Sequence, residues 1–312
     1  MSTPIILVIT GPTATGKSLL GVNLAHEIGG EIVSADSMQV YKFMDIGTAK
    51  PTTAEMDGVP HHLISFVPPW EDYSVARYVE DASKCIDDIL KRGKQPVIVG
   101  GTGLYIDSLL AGRIFSARGD DNLRKQLEDE FDTAGGEAML AKLREVDVRS
   151  AAKLHFNDKK RIVRALETFI TTGKTISEHD LESKAIPPRY NARKIALTFS
   201  NRNDLYDKID RRVDGMILRG LVDEVKSLLN RGITRINTSM QAIGYKEISS
   251  ALCGEYSLDD AEEKIKMESR RYAKRQLTWL RRDDDINWIY LDTLSDTDSV
   301  ARKVMELHNE TK

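Results

Sequence analysis

Apolar and polar positions alternate in blocks along the first third of the chain, in the rhythm of an α/β protein. The run Ile5-Ile-Leu-Val-Ile9 has no polar face, as a strand buried on both sides requires, and predicts a strand over Ile5 to Thr10. Ser18 to Ile28 is amphipathic and predicts a helix from Lys17. Glu31 to Ser34 reads as a second strand, Val75 to Arg92 as a helix, and Pro96-Val-Ile-Val99 as a short continuous apolar strand. Strands separated by helices imply a parallel, doubly wound sheet, whose ligands bind beyond the carboxyl ends of the strands. The loops after Thr10, Ser34 and Val99 are therefore expected to converge on one crevice.

From Gly112 to Pro188 the pattern becomes charged and helix-like, with breaks at Gly135-Gly136 and Gly173 and a boundary at Pro187-Pro188. This predicts a helical lobe inserted into the core, leaving 1–111 and 189–312 as the core itself. Lys194 to Phe199 returns to strand-like alternation. Long helical patterns follow at Asn203 to Arg231 and Leu258 to Arg281, then an apolar strand at Ile286 to Leu291 and a terminal helix. The expected fold is thus α/β, with a P-loop NTPase-like parallel sheet flanked by helices and an inserted all-helical lobe.

Composition narrows the classes. With 312 residues and 41% apolar content the chain can bury a sizeable core. A formal charge of −3 leaves no global field to draw it onto nucleic acid, so any such binding needs local patches. Cys85 and Cys253 have no paired spacing, which argues against a zinc site or disulfide framework and suits a reducing compartment; both are expected to be small buried residues. No basic leader precedes the first strand and no apolar run approaches a membrane span, so a cytoplasmic enzyme without membrane attachment is expected.

The most specific chemical signal lies directly after the first strand. Gly11, Pro12, Thr13, Ala14, Thr15, Gly16, Lys17 and Ser18 fit the pattern G-x-x-x-x-G-K-[ST] between a strand and a helix. Such a loop turns backbone N–H groups toward an anion at the helix N-terminus. Lys17 adds a positive charge, and the Ser18 hydroxyl can complete the shell of a Mg²⁺ ion. A di- or triphosphate is expected here, although kinases, NTPases and pyrophosphate-releasing transferases all use such a loop.

Other residues are placed near it by the sheet argument. Asp36, at the end of the second strand, is either a turn residue or a carboxylate that accepts a proton or holds Mg²⁺ indirectly. Gly100-Gly-Thr102-Gly103 is either a plain turn or a backbone that approaches ligand closely while Thr102 supplies a hydroxyl. No Asp-Glu pair follows the strand there, which disfavours ATP hydrolysis by a water-activating glutamate. Arg211-Arg212 could stabilise negative charge on a leaving group, or simply pair with Asp210 and Asp214. Lys159, Lys160, Arg161 and Arg164 form one basic group, and Lys264 to Arg282 a second whose positions 264, 271, 275 and 282 follow helical spacing. Each is either a solvated face or a stripe for a phosphate backbone. Trp279 is read as a core anchor.

Taken in order, Gly11-Pro-Thr-Ala-Thr-Gly-Lys17-Ser18, Asp36-Ser-Met-Gln-Val-Tyr41, Met44-Asp-Ile-Gly-Thr-Ala-Lys50, Gly100-Gly-Thr-Gly-Leu-Tyr105, Gly244-Tyr-Lys-Glu247 and Tyr272-Ala-Lys-Arg-Gln-Leu-Thr-Trp279 resemble the tRNA dimethylallyltransferase family over nearly the whole chain. The resemblance implies transfer of a dimethylallyl group from dimethylallyl diphosphate to N6 of the adenosine 3′ of the anticodon, in tRNAs reading codons that begin with U. It implies that the loop Gly11 to Ser18 holds the diphosphate, that Asp36 is the general base, and that Thr102 and Arg212 assist, with Mg²⁺ at Ser18. It carries tRNA contacts onto Asp36, Ser37, Met38 and Gln39, onto Thr102 and Arg124, onto Lys160, Arg161, Ile162, Val163 and Arg164, and onto Gln241, Ala242, Ile243, Gly244, Tyr245 and Lys246. The inserted lobe would grip the anticodon stem-loop, and the protein is expected to be a monomer. The chain has no zinc-finger spacing of the kind eukaryotic members often add, so it looks bacterial in type. A small-molecule kinase, a non-catalytic RNA-binding module and a prenyltransferase acting on free adenine nucleotides remain the alternatives.

Overall fold

The computed structural model describes residues 5–113, 120–294 and 296–310. Its strands are β1 (Ile6–Thr10), β2 (Gly30–Ser34), β3 (His61–His62), β4 (Gln95–Val99), β5 (Ala192–Thr198) and β6 (Ile286–Tyr290). They form one sheet in the order β3-β2-β4-β1-β5-β6, and every pairing is parallel. Parallel strands need helical crossovers that cover both faces of the sheet, and β1 at its centre is buried along its whole length. Leu7 and Ile9 pack with Leu20, Leu24, Ile32, Val97 and Ile195 in the core between sheet and helices. The α/β fold with a parallel sheet flanked by helices is the one expected.

Two details differ from the sequence reading. The pattern from Asn203 to Arg231 is two helices, Arg202–Leu218 and Leu221–Asn230, separated at Gly220, whose φ of 96° lies in the left-handed region that a helix interior excludes. The edge strand β3 was not expected, because two half-buried histidines give no periodicity to read.

The chain divides into two compact units, Met1–Leu110 with Tyr190–Lys312, and Ala111–Arg189. The second is helical throughout its described elements, Asp121–Ala134, Gly136–Val146, Val148–Ala151, Lys159–Thr172 and Ile176–Ala185. It has its own core of Leu127, Met139, Leu143, Ile162, Val163 and Leu166. No helix among the described residues is long and apolar enough to cross a membrane. Of the two cysteines Cys85 is half-buried but Cys253 is exposed, which corrects the expectation that both are buried; Cys253 caps the short helix Tyr245–Leu252 rather than facing a core.

Candidate active site

The loops after β1, β2 and β4 do converge. Ala35 donates its N–H to the Val99 carbonyl (2.8 Å), Thr102 returns one to the Ala35 carbonyl (3.1 Å), and Gly100 donates to the Ile9 carbonyl (3.1 Å). A Cβ on Gly100 would lie 2.2 Å from the Ala35 oxygen, so no side chain fits at this crossing. The close approach holds Thr102 beside the Asp36 turn: its Oγ1 accepts from the Ser37 N–H at 3.1 Å.

The phosphate-type loop lies between β1 and the helix Lys17–Ile28. Thr15 Oγ1 donates to the Pro12 carbonyl at 2.9 Å, bracing the turn, and Lys17 Nζ donates to the same oxygen at 2.6 Å. Burial first, and the neighbouring Arg212 guanidinium second, push the Lys17 ammonium from 10.5 down to about 7, against the opposing pull of Asp36. Burial also lowers Arg212, opposed by Asp36 and assisted by Arg219. Two desolvated cations pressing on each other at the N-terminus of the helix Lys17–Ile28 form a site that an anion relieves.

Asp36 serves both of its alternative readings. Its Oδ1 caps the turn by accepting from Met38 N–H (2.8 Å) and Gln39 N–H (3.2 Å), while Oδ2 has no hydrogen-bond partner among the described residues. The carboxylate is thereby fixed by one oxygen and open at the other. It lines a cleft with Lys17, Ser18, Arg212 and Gly101. It also lines a second cavity, of about 280 Å³, with Met38, Met216, Gln241 and Ile243. Thr13, Asp36, Arg212 and Tyr272 border both spaces. The Tyr272 phenol is raised to about 12 by burial and by Asp36, so it remains protonated at neutral pH. Among the described residues no three His, Cys, Asp or Glu side chains form a metal cage. The Ser18 hydroxyl and Asp36 carboxylate on one cleft are a sparse oxygen set that fits Mg²⁺ only if a diphosphate supplies further ligands.

An anion cleft joined to a second cavity through a carboxylate suits a group-transfer enzyme, and the relatives agree. The family model described as IPP transferase matches residues 39–283, and that described as isopentenyl transferase matches 4–65. The chain belongs to the IPP transferase family. Among its relatives, a tRNA dimethylallyltransferase of Acetivibrio thermocellus is 48% identical over 96% of each chain. A tRNA isopentenylpyrophosphate transferase structure from Bacillus halodurans matches with TM-score 0.71 and 44% identity, over 98% of this chain and 94% of that one. The structure of a eukaryotic dimethylallyltransferase acting on tRNA matches with TM-score 0.82 and 32% identity, over 97% of this chain and 78% of that one.

Within this IPP transferase the remaining expected residues are distributed unevenly. Ser37, Met38, Gln39, Gln241, Ala242 and Ile243 lie around the Asp36 crevice, Gln39 bonding the Thr48 and Ala49 carbonyls at 3.3 Å. Lys246 is exposed. Tyr245 is fully buried and donates its hydroxyl to Glu224 at 2.6 Å. In the helical unit Ile162 and Val163 point into that unit's own core, so of that run only Lys160, Arg161 and Arg164 present side chains outward. Arg124 and Arg164 share one buried carboxylate, Glu167, at 2.9 and 2.8 Å. The basic segment from Lys264 is partly neutralised: Lys266 pairs with Asp214, Glu262 and Glu263, Arg270 with Asp210, and Arg271 with Glu268. Arg275 and Arg282 instead stack over Tyr272 and Trp279 at 5.6 and 4.2 Å.

Two contributors carried no role in the sequence reading. Glu224 gathers the backbone N–H groups of Asp45, Ile46 and Gly47 at 2.9 to 3.1 Å, fixing the loop that carries Thr48 and Ala49. Gln276 joins the phosphate loop to the loop after β4. The acidic first turn of Leu221–Asn230 is the local signal for the first; the second lies inside the block Tyr272 to Trp279, which gives no sign of the two loops it joins.

Proposed function

We propose that this IPP transferase transfers a dimethylallyl group from dimethylallyl diphosphate to the exocyclic N6 of the adenosine immediately 3′ of the anticodon, in tRNAs reading codons that begin with U. The observation that supports it best is Asp36, fixed through Oδ1 and open at Oδ2, bordering both the cation-lined cleft and the second cavity. The donor diphosphate binds at Gly11 to Ser18 against Lys17 and Arg212, and the adenine enters from the side of Ser37, Met38, Gln241 and Ile243. The bond from N6 to C1 forms as the bond from C1 to the diphosphate oxygen breaks. The N6 proton passes to Asp36, and diphosphate leaves.

Adenine N6 is a poor nucleophile because its lone pair is delocalised into the ring, so a carboxylate on its N–H is the aid the chemistry needs. Charge building on the departing diphosphate is met by Lys17, Arg212 and the Thr102 hydroxyl. Mg²⁺, held by Ser18 together with the diphosphate, would supply further charge neutralisation. The target base is unpaired in the anticodon loop and costs little to extrude. Arg124, Lys160, Arg161 and Arg164 grip the anticodon stem-loop through its phosphates. A monomeric cytoplasmic protein suits this role.

The test is transfer of labelled dimethylallyl from its diphosphate, with Mg²⁺, to unmodified tRNA, run beside AMP and an anticodon stem-loop lacking the target adenosine. Label in tRNA alone supports the reading. Label in AMP moves the chain to prenylation of free nucleotides, and ATP turnover without transfer moves it to the kinases.

A further inference from the structure

The long helix Leu258–Leu280 runs past the crevice and touches it through one face, with Tyr272, Gln276 and Trp279 at positions i, i+4 and i+7. Gln276 is 7% exposed, and its amide makes two bonds of opposite sense. Oε1 accepts the Thr13 N–H of the phosphate loop at 3.0 Å, and Nε2 donates to the Gly101 carbonyl at 2.8 Å. One residue beyond Gly101 stands Thr102. One turn further along the helix, Trp279 Nε1 donates to Asp107 at 2.8 Å on the helix Gly103–Leu110, so the long helix is pinned on the Thr102 side twice.

We infer that Gln276 is a positioning residue for prenyl transfer: its amide sets the donor loop and the Thr102 loop in one register, so that the donor C1 lies in line with the acceptor nitrogen at Asp36. This role rests on the function proposed above. A buried side-chain amide is stable only with both ends satisfied, and here each end holds a different side of the crevice. Gln276 spans the two loops that must not slide. The same helix carries Tyr272 to the border of both spaces, so a shift of this clamp moves the partition between them as well. Gly101 is part of the device: a Cβ there would lie 2.3 Å from Gln276 Nε2 and displace the amide.

The experiment compares wild type, Gln276→Met, Gly101→Ala and the double variant in steady-state transfer to tRNA, with direct binding of pyrophosphate and of tRNA measured on each. Misplacement by a fraction of an ångström without loss of either site is expected to lower kcat on the order of tenfold to a hundredfold, with both binding constants changed less than about threefold. Gly101→Ala should reproduce the loss with Gln276 intact, and the double variant should be no worse than the worse single one, because both break one clamp. Unchanged kcat in folded Gln276→Met, a loss that appears wholly in pyrophosphate or tRNA binding, or effects that multiply in the double variant would each overturn the inference. Wild type that fails to transfer at all would instead overturn the function on which it rests.

Discussion

Lys17 offers a prediction that follows from the crevice itself. In most proteins a lysine is charged throughout the neutral range, but burial and Arg212 bring this one to about 7. The direction follows from the charge: a cation whose value is lowered is protonated below about 7 and neutral above it, so attraction for an anion is strongest on the acid side. Raising the pH from 6.5 to 8.5 takes the protonated fraction in the free protein from about three quarters to about 3%. If the bound anion keeps Lys17 charged, affinity for pyrophosphate falls by about twenty-fivefold over that interval. Pyrophosphate itself gains negative charge over the same range, which works in the opposite sense. The clean quantity is therefore the ratio of wild type to Lys17→Arg, since a guanidinium does not titrate here. Isothermal calorimetry at constant ionic strength and several pH values gives that ratio, and proton uptake on binding near pH 8 gives an independent reading. A ratio that is flat from 6.5 to 8.5, or that rises with pH, would refute the account of Lys17 as a desolvated cation held for an anion.

Asp36→Asn retains an oxygen to cap Met38 and Gln39 but cannot take a proton; kcat should fall on the order of 10²- to 10⁴-fold with tRNA affinity nearly unchanged, and near-normal turnover would remove the general base. Glu31 is 2% exposed and held from 4.5 down to about 2, chiefly by its bond to Arg92 and then by His62. Its contribution is present above 4.5 and lost as pH falls through about 2, so Glu31→Gln should cost about 3 kcal/mol in urea unfolding at pH 7 and much less near pH 2. Glu167, fully buried between Arg124 and Arg164, should cost about 3 kcal/mol when changed to Gln, read as a lower urea midpoint of the helical unit. A loss below about 0.5 kcal/mol would mean that the two guanidiniums do not depend on it.

The parts of this site that were legible in the sequence are those encoded locally. Continuous apolar runs announce β1 and β4, and the loop Gly11 to Ser18 follows its strand at once, so motif and context appear together. The carboxyl-end rule then brings Asp36 and Thr102 beside that loop without further information. What stayed hidden depends on contacts between distant residues. Thr13 and Gln276 are 263 positions apart, and Ile46 and Glu224 are 178 apart, and no periodicity links either pair. The charged stripe from Lys264 was ambiguous for a related reason. Its partners Asp210 and Asp214 belong to another helix, so only the folded chain separates neutralised cations from those that stack on Tyr272 and Trp279.

The decisive event in the proposed reaction is the meeting of a prenyl diphosphate in the cleft with an adenine N6 at Asp36. Its most direct test is to incubate an unmodified anticodon stem-loop with dimethylallyl diphosphate, Mg²⁺ and the protein, digest it to nucleosides, and locate the added group by mass spectrometry. One dimethylallyl unit is expected on N6 of the adenosine 3′ of the anticodon, and none with Asp36→Asn over the same time. A dimethylallyl unit on another base, or equal modification by the Asp36 variant, would contradict it.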